Sequence, residues 1–434
     1  MKVRAIKTKH MAPGRMICIG FAVVILIGAL LLYLPFTQNH GAEVSFTDAF
    51  FTSTSAVCVT GLIAIDTADT FNGFGQAVVA LLIQVGGLGI TSIGVGFIIL
   101  TGRKIGFRER VLAKEALNYS SFKGVLSLVK SVLQMTLSFE LVGALLSFLV
   151  FRRDFPTGKA IWISIFHSIA AFNNSGFDIL GGGQNLIPYR HDILLNMTTC
   201  GLIIVGGIGF FVIRELFQKH SFRKFTLHTK VVLCVTAVLL TAGTLLLKLT
   251  DKISWMDAFF TSTSARTAGF STLPMGSLSH AGLFVLIILM FIGASPGSTG
   301  GGIKTTTFFI LIRSVLSAAS NKPCGAFKKK FPNNLIRKAF VIMFLSLSVV
   351  VVSTFALTLI EPDTEFIRLL FESVSAFGTV GLSAGITPTL APASKWILIL
   401  TMYVGRLGPL TVASLWVYNQ DSSIERAEEN ITIG

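Results

Sequence analysis

Charge is what this sequence has least of. Only 13% of its 434 residues are Asp, Glu, Lys or Arg, while 52% are hydrophobic and mean hydropathy is +0.74; a soluble globular chain carries about 25% charged residues. A soluble domain is excluded and a bilayer is the natural solvent. Acidic residues are scarcest, 21 against 36 Lys and Arg, for a formal net charge of +15. Cysteine is limited to 5, an odd number without metal-ligand spacing, so no disulfide framework is expected and these residues read as small apolar fillers. Also missing are a Ser/His pair and paired aspartates at matching depth. His167 has no evident partner, which argues against an intramembrane enzyme, one of two rival readings.

What is abundant is long apolar sequence: Met16–Tyr33, Val125–Phe151, Val231–Leu247, Leu283–Ile292, Ala339–Ile360 and Trp396–Val404. Several approach the roughly 20 residues that a helix needs to cross the hydrocarbon core. No small-residue cleavage pattern follows the first, so it is a retained helix rather than a signal peptide. The basic residues gather in a tail (Lys2, Arg4, Lys7, Lys9, Arg15) and three polar loops, around Arg103–Lys114, Arg214–Lys230 and Arg313–Lys338. By the positive-inside rule all four segments are cytoplasmic, with an even number of crossings between them. Their clustering reads as topology and attraction to anionic lipid headgroups, not as a nucleic-acid surface.

An internal repeat sets the architecture. Thr47–Ala56 reads TDAFFTSTSA and Met256–Ala265 reads MDAFFTSTSA, each followed shortly by glycine and an apolar residue, Gly61-Leu62 and Gly269-Phe270. Relaxed copies lie at Phe166–Phe177 and Phe371–Leu382, ending in Gly176-Phe177 and Gly381-Leu382. Each copy is too short to span, has an apolar span before it, and precedes a second span rich in glycine. The expected fold is therefore an all-α integral membrane protein. It has four units of helix, re-entrant pore helix with loop, and helix (M1–P-loop–M2), giving eight transmembrane helices around a pseudo-fourfold pore. The units divide as 16–102, 103–220, 221–325 and 326–418, between a cytoplasmic tail at 1–15 and another at 419–434.

Non-helical backbone at membrane depth is tolerated only where it is buried in protein or lines a water-filled cavity. Four such loops make a pore in which carbonyl oxygens replace a cation's hydration shell and the C-terminal ends of the short helices add negative potential. Gly61, Gly176, Gly269 and Gly381 are the expected filter glycines, because glycine reaches φ > 0 and aligns consecutive carbonyls. The remaining carbonyls fall to Cys58, Val59 and Thr60; Asn173, Asn174 and Ser175; Arg266, Thr267 and Ala268; and Gly378, Thr379 and Val380.

Several residues stand outside this pattern. The third second span reads Gly293, Ala294, Ser295, Pro296, Gly297, Ser298, Thr299, Gly300, Gly301, Gly302, Ile303, Lys304. Such a run cannot stay helical, and a broken helix just inside the filter is the expected gate. Its likeness to a phosphate-binding loop fails, since Ile303 interrupts the required Gly-Lys pair. Arg406 is a cation in an apolar span, expected either to hold the closed state or to pack against carbonyls. Glu140 and Glu372 are marked for function by the same reasoning, with filter support and ion contact both open for Glu372. Asp48 and Asp257 begin short helices and are expected to cap them.

The four glycine-ended loops, the Gly293–Lys304 break and Arg406 together resemble the Trk/Ktr/HKT superfamily of potassium transporters, and within it the KtrB-type membrane subunits of bacteria. The resemblance covers nearly the whole chain. It implies potassium uptake through the plasma membrane, a homodimer with one pore per subunit, and cytoplasmic termini. It also implies a cytoplasmic RCK-type ring that binds the regulatory nucleotide and docks on the basic face. K+ is the implied ion; Na+ dependence stays open between channel-like and symport mechanisms. The second rival, a non-conducting scaffold, would not need four filter-like loops; some relatives with serine at the first filter glycine prefer sodium, so a sodium-selective transporter is a further alternative, which Gly61 argues against.

Overall fold

The computed structural model describes residues 13–100, 125–413 and 415. The basic residues Lys2, Arg4, Lys7 and Lys9, the first basic loop at Arg103–Lys114, and the tail 419–434 lie outside them. The described chain is mostly helical, with one two-stranded antiparallel hairpin pairing Gly325–Ala326 with Lys329–Lys330.

A long helix α1 (Pro13–Tyr33) is followed by the short α2 (Phe46–Val57) and then by α3 (Gly73–Leu88) and α4 (Ile90–Leu100). The same order continues with α5 (Val125–Phe151), α6 (Thr157–Phe172), α7 (Ile193–Ile208) and α8 (Phe210–Gln218). Next come α9 (Leu227–Thr250), α10 (Trp255–Ser264), α11 (His280–Phe291) and α12 (Thr305–Ala319). The series closes with α13 (Asn333–Ile360), α14 (Phe366–Gly378), α15 (Pro392–Leu407) and α16 (Pro409–Ala413).

By length and composition four described helices can cross a membrane, Gly14–Tyr33, Leu126–Phe151, Leu227–Thr250 and Asn333–Ile360; the pair α7 and α8, bent by 98°, makes a fifth if taken as one span. Of the eight membrane helices expected from sequence, only the third second span was expected to be broken. Each second span is interrupted, at Gly89 (φ +81°), Gly209 (φ +95°), the non-helical stretch between α11 and α12, and Gly408 (φ +86°). The break in the third is therefore not without counterparts, as the composition of that segment alone suggested. What sets it apart is its length, because a single left-handed glycine bends a helix whereas a Gly/Ser/Pro run dissolves it.

Caps begin the short helices. Ser45 and Ser254 stand at the N-caps and accept from the amides of Asp48 and Asp257, each at 3.1 Å. The aspartates expected to be the caps are instead the third helical residues, and Asp257 completes a capping box with Ser254. Each carboxylate also meets a cation from another part of the chain, Lys395 on Asp48 and Arg190 on Asp257, both at 2.7 Å.

Polarity runs inside out. The short helices are buried although they are rich in Ser and Thr, while the long helices expose Leu137 (64%), Val352 (66%) and Leu359 (68%). An apolar exterior over a polar core suits lipid, where helices associate through small residues and hydroxyl bonds. One contact occurs three times. Ser53, Ser168 and Ser262 donate to the carbonyls of Ile25, Glu140 and Leu240 at 2.7, 2.6 and 3.1 Å. Three residues beyond each carbonyl is a glycine, Gly28, Gly143 or Gly243, where a Cβ would strike that serine and Leu82, Leu202 or Leu289. These notches let the short helix lie against the long one. A Gly243→Val substitution is expected to destabilise the fold by about 1–3 kcal/mol through overpacking, read as a lowered thermal midpoint in detergent; an unchanged midpoint would show that the notch is dispensable.

Candidate functional site

Four strands of irregular backbone leave the C-termini of α2, α6, α10 and α14 in the middle of the helices. Gly61, Gly176, Gly269 and Gly381 all have positive φ, +87°, +68°, +79° and +94°. The residue two before each glycine is left-handed as well: Val59 (+56°), Asn174 (+57°), Thr267 (+71°) and Thr379 (+49°). Positive φ is uncommon for any residue with a Cβ and an outlier for β-branched ones, yet three of these four are Val or Thr. Strain of this kind persists only where the surroundings over-determine it. Nothing in the side chains marks these positions in sequence; only their fixed place ahead of the glycine does.

The glycines close a ring. A Cβ at Gly61 would collide with the Ser175 carbonyl, one at Gly176 would lie 2.7 Å from the Ala268 carbonyl oxygen, one at Gly269 would lie 2.5 Å from that of Val380, and one at Gly381 would collide with that of Thr60. Each strand thus touches the next in chain order and the last touches the first. Of the sixteen residues named from sequence, fifteen lie in these four strands and Gly378 is the last residue of α14; among those with side chains Arg266, 7% exposed, is the largest. Its guanidinium does not enter the ring but donates to the Gly293 carbonyl at 3.4 Å.

The strands are held by hydroxyls that sequence reasoning did not single out, although they sit in the repeated STS run. Ser55 accepts from the Gly61 amide at 3.0 Å and donates to the Leu62 carbonyl at 2.8 Å. Ser264 donates to Phe270 in the same way, and Ser375 accepts from the Gly381 amide at 3.1 Å. The second strand differs. Its equivalent position is Ala170, whose carbonyl accepts from Ser175. Asn173 turns instead toward Gln84 and Glu140, donating at 2.8 and 3.0 Å, and Asn174 lies 3.3 Å from the Thr267 hydroxyl.

Glu372 is fully buried and accepts from the Ser383 hydroxyl (2.6 Å), the Ala384 amide (2.9 Å) and the Thr387 hydroxyl (2.7 Å). Of its two open roles the contacts favour support, since every bond goes to chain just beyond the fourth glycine. Truncating it as Glu372→Leu leaves three donors unpaired and is expected to cost about 3 kcal/mol or more, with Glu372→Gln retaining part of that; equal thermal midpoints for the two variants would contradict this.

Under the ring lies the stretch between α11 and α12. A Cβ on Gly300 or Gly301 would run into Thr267 or Thr379, two of the strained residues above. The Thr299 hydroxyl donates to the Phe172 carbonyl at 3.3 Å, while the Ser295 and Thr299 amides donate to Gly207 and Gly206 at 3.0 and 3.3 Å. The Gly297 carbonyl accepts from the Phe210 amide at 2.9 Å, and Pro296 lies beside Gly209. Within the stretch, Gly293 packs on Gly302, Ala294 donates to Gly301, Ser298 to Ser295, and the Lys304 ammonium to the Gly300 carbonyl at 2.6 Å. Arg406 donates to the Thr299 carbonyl and, from its other nitrogen, to Gly86 and Gly87. It ties this stretch to the end of α3.

These features define a helical membrane protein built around four central strands of irregular backbone. The TrkH model, described as a cation transport protein, matches residues 7–247 and 214–426; the chain belongs to this family of integral membrane cation transporters. It is 39% identical over 444 residues to the potassium/sodium uptake protein NtpJ of Enterococcus hirae, covering 98% of each chain. It is 38% identical to the Ktr system potassium uptake protein B of Bacillus subtilis, covering 100% of this chain and 99% of that one. The solved TrkH potassium transporter of Vibrio parahaemolyticus shares the fold at a TM-score of 0.74, with 20% identity over 95% of this chain and 87% of that one.

Proposed function

We propose that this chain takes up K+ across the bacterial plasma membrane through a pore formed by four M1–P-loop–M2 units, with the Gly61, Gly176, Gly269 and Gly381 strands as its filter. The observation that carries the reading is the closed ring of four glycines, each preceded by a second left-handed residue. Alternation of left- and right-handed residues aims successive carbonyls to one side, which is what a dehydrated cation requires. The C-termini of α2, α6, α10 and α14 add their negative dipole ends at the same place. Both uptake proteins above are named for potassium, NtpJ for sodium as well.

The stretch from Gly293 to Lys304 is the gate in this reading, since it underlies the ring and is held by bonds that a shift of α12 would break. The chain works as a homodimer with cytoplasmic termini, and an RCK-type ring that carries the nucleotide docks on the basic loops to act on the gate. Anionic lipid headgroups and the partner ring are the two ligands of that basic face. The test is rubidium uptake into liposomes that contain the purified protein, with potassium or sodium as competitor, with and without sodium, at several membrane potentials. Uptake blocked by potassium and not by equal sodium is expected. Preference for sodium would replace the potassium assignment, and no flux at any potential would overturn the transport reading.

A further inference from the structure

Resting on that filter reading, we propose that Asn185 is a specificity-determining positioning residue. It clasps the second filter strand from outside, in place of the helix serine that this strand lacks. Strands one, three and four are each bonded by a pore-helix hydroxyl, from Ser55, Ser264 and Ser375. Strand two has Ala170 at that place and no such hydroxyl.

Asn185 holds this strand through a different atom, the glycine carbonyl, where the serines bind the glycine amide or the next carbonyl. Its Nδ2 donates to the carbonyl of Gly176, the filter glycine itself, at 3.0 Å, and to Asp178 at 3.0 Å. Its Oδ1 accepts from the amides of Ser271 and Leu186, each at 3.0 Å. Both donor hydrogens and both acceptor lone pairs are used, which fixes the orientation of the amide, because a swap would set N–H against N–H. Ser271 lies two residues beyond Gly269, so one side chain joins the exits of strands two and three. The residue is 8% exposed and has φ +52°, a conformation that Asn tolerates and most residues do not. Gly176 and Gly269 already lie in direct contact. A clasp on Gly176 and on Ser271 therefore sets the separation of strands two and three, and the width of the ring on that side decides how well its carbonyls match one cation against a smaller one.

The test compares Asn185→Gly, which keeps the left-handed turn and removes the amide, with Asn185→Asp, which keeps the acceptor and removes the donor. Rubidium uptake into liposomes is competed with potassium and with sodium. Both variants are expected to lose roughly 5- to 10-fold in potassium-over-sodium preference, the scale of one or two lost hydrogen bonds. Adding Ala170→Ser to Asn185→Gly restores an inner hydroxyl and is expected to recover most of that preference. Adding Asp178→Asn to Asn185→Asp re-forms only the Asp178 contact and is expected to recover none. Preference within twofold of the parent in both single variants, or recovery with Asp178→Asn, would overturn the proposal. A Gly269→Asp variant is run alongside: if it transports like the parent, the filter reading itself fails, whereas its inactivity beside unchanged Asn185 variants removes only the clasp.

Discussion

Gly61→Asp is expected to reduce potassium uptake on the order of 100-fold while the protein still reaches the membrane. Gly61 has φ +87°, and a Cβ there meets the Ser175 carbonyl and the Gly176 Cα. Left-handed strain in a residue with a side chain costs about 1–3 kcal/mol, and backbone cannot yield as a flexible side-chain tip would. A combined penalty near 3 kcal/mol on the conducting geometry corresponds to roughly 100-fold. The carboxylate would add a fixed charge where carbonyl dipoles should be balanced. The measurement is rubidium uptake by liposomes or by cells deprived of other uptake systems, normalised to protein in the membrane. Uptake equal to the parent would remove Gly61 from the filter, and with it the ring.

Arg406→Gln is expected to raise uptake about 5- to 10-fold when no cytoplasmic partner is present. In the structure the guanidinium joins Thr299 of the loop beneath the ring to Gly86 and Gly87 at the end of α3. Charge-assisted bonds of this type contribute about 1.5–3 kcal/mol each, and glutamine is too short and uncharged to replace more than one. In the gate reading, releasing the loop from α3 shifts the closed–open balance toward open. Falling uptake at unchanged thermal stability would mean that Arg406 supports conduction instead of closure.

The two predictions differ in how much of their basis is legible in the chain. Gly61 and Gly269 are visible because the TDAFFTSTSA and MDAFFTSTSA copies align them, and their weaker relatives Gly176 and Gly381 follow once the pattern is relaxed. Arg406 is visible as a charge in an apolar run, but its partners are backbone carbonyls of Thr299, Gly86 and Gly87, and a carbonyl carries no mark in sequence. The same holds for Val59, Asn174, Thr267 and Thr379, whose left-handed backbone is imposed by neighbouring strands. The breaks in the other three second spans were not foreseen because hydropathy averages over a window, and single glycines such as Gly89, Gly209 and Gly408 hardly lower it while ending the helix. Asp48 and Asp257 were placed at the right helix ends but one turn too early in role, since Ser45 and Ser254 stand at the N-caps and accept from the amides of Asp48 and Asp257 themselves.

The sequence by itself determined the solvent, the recurring helix order and the positions of the ring glycines, because hydropathy, charge and repetition are properties of composition and spacing. Only tertiary structure decided which carbonyls meet, that Arg266 turns from the ring to Gly293, that Arg406 reaches α3, and that Asn185 answers for the missing serine at Ala170. Most of those contacts put a side chain against backbone atoms, which are identical at every position and carry no mark in sequence.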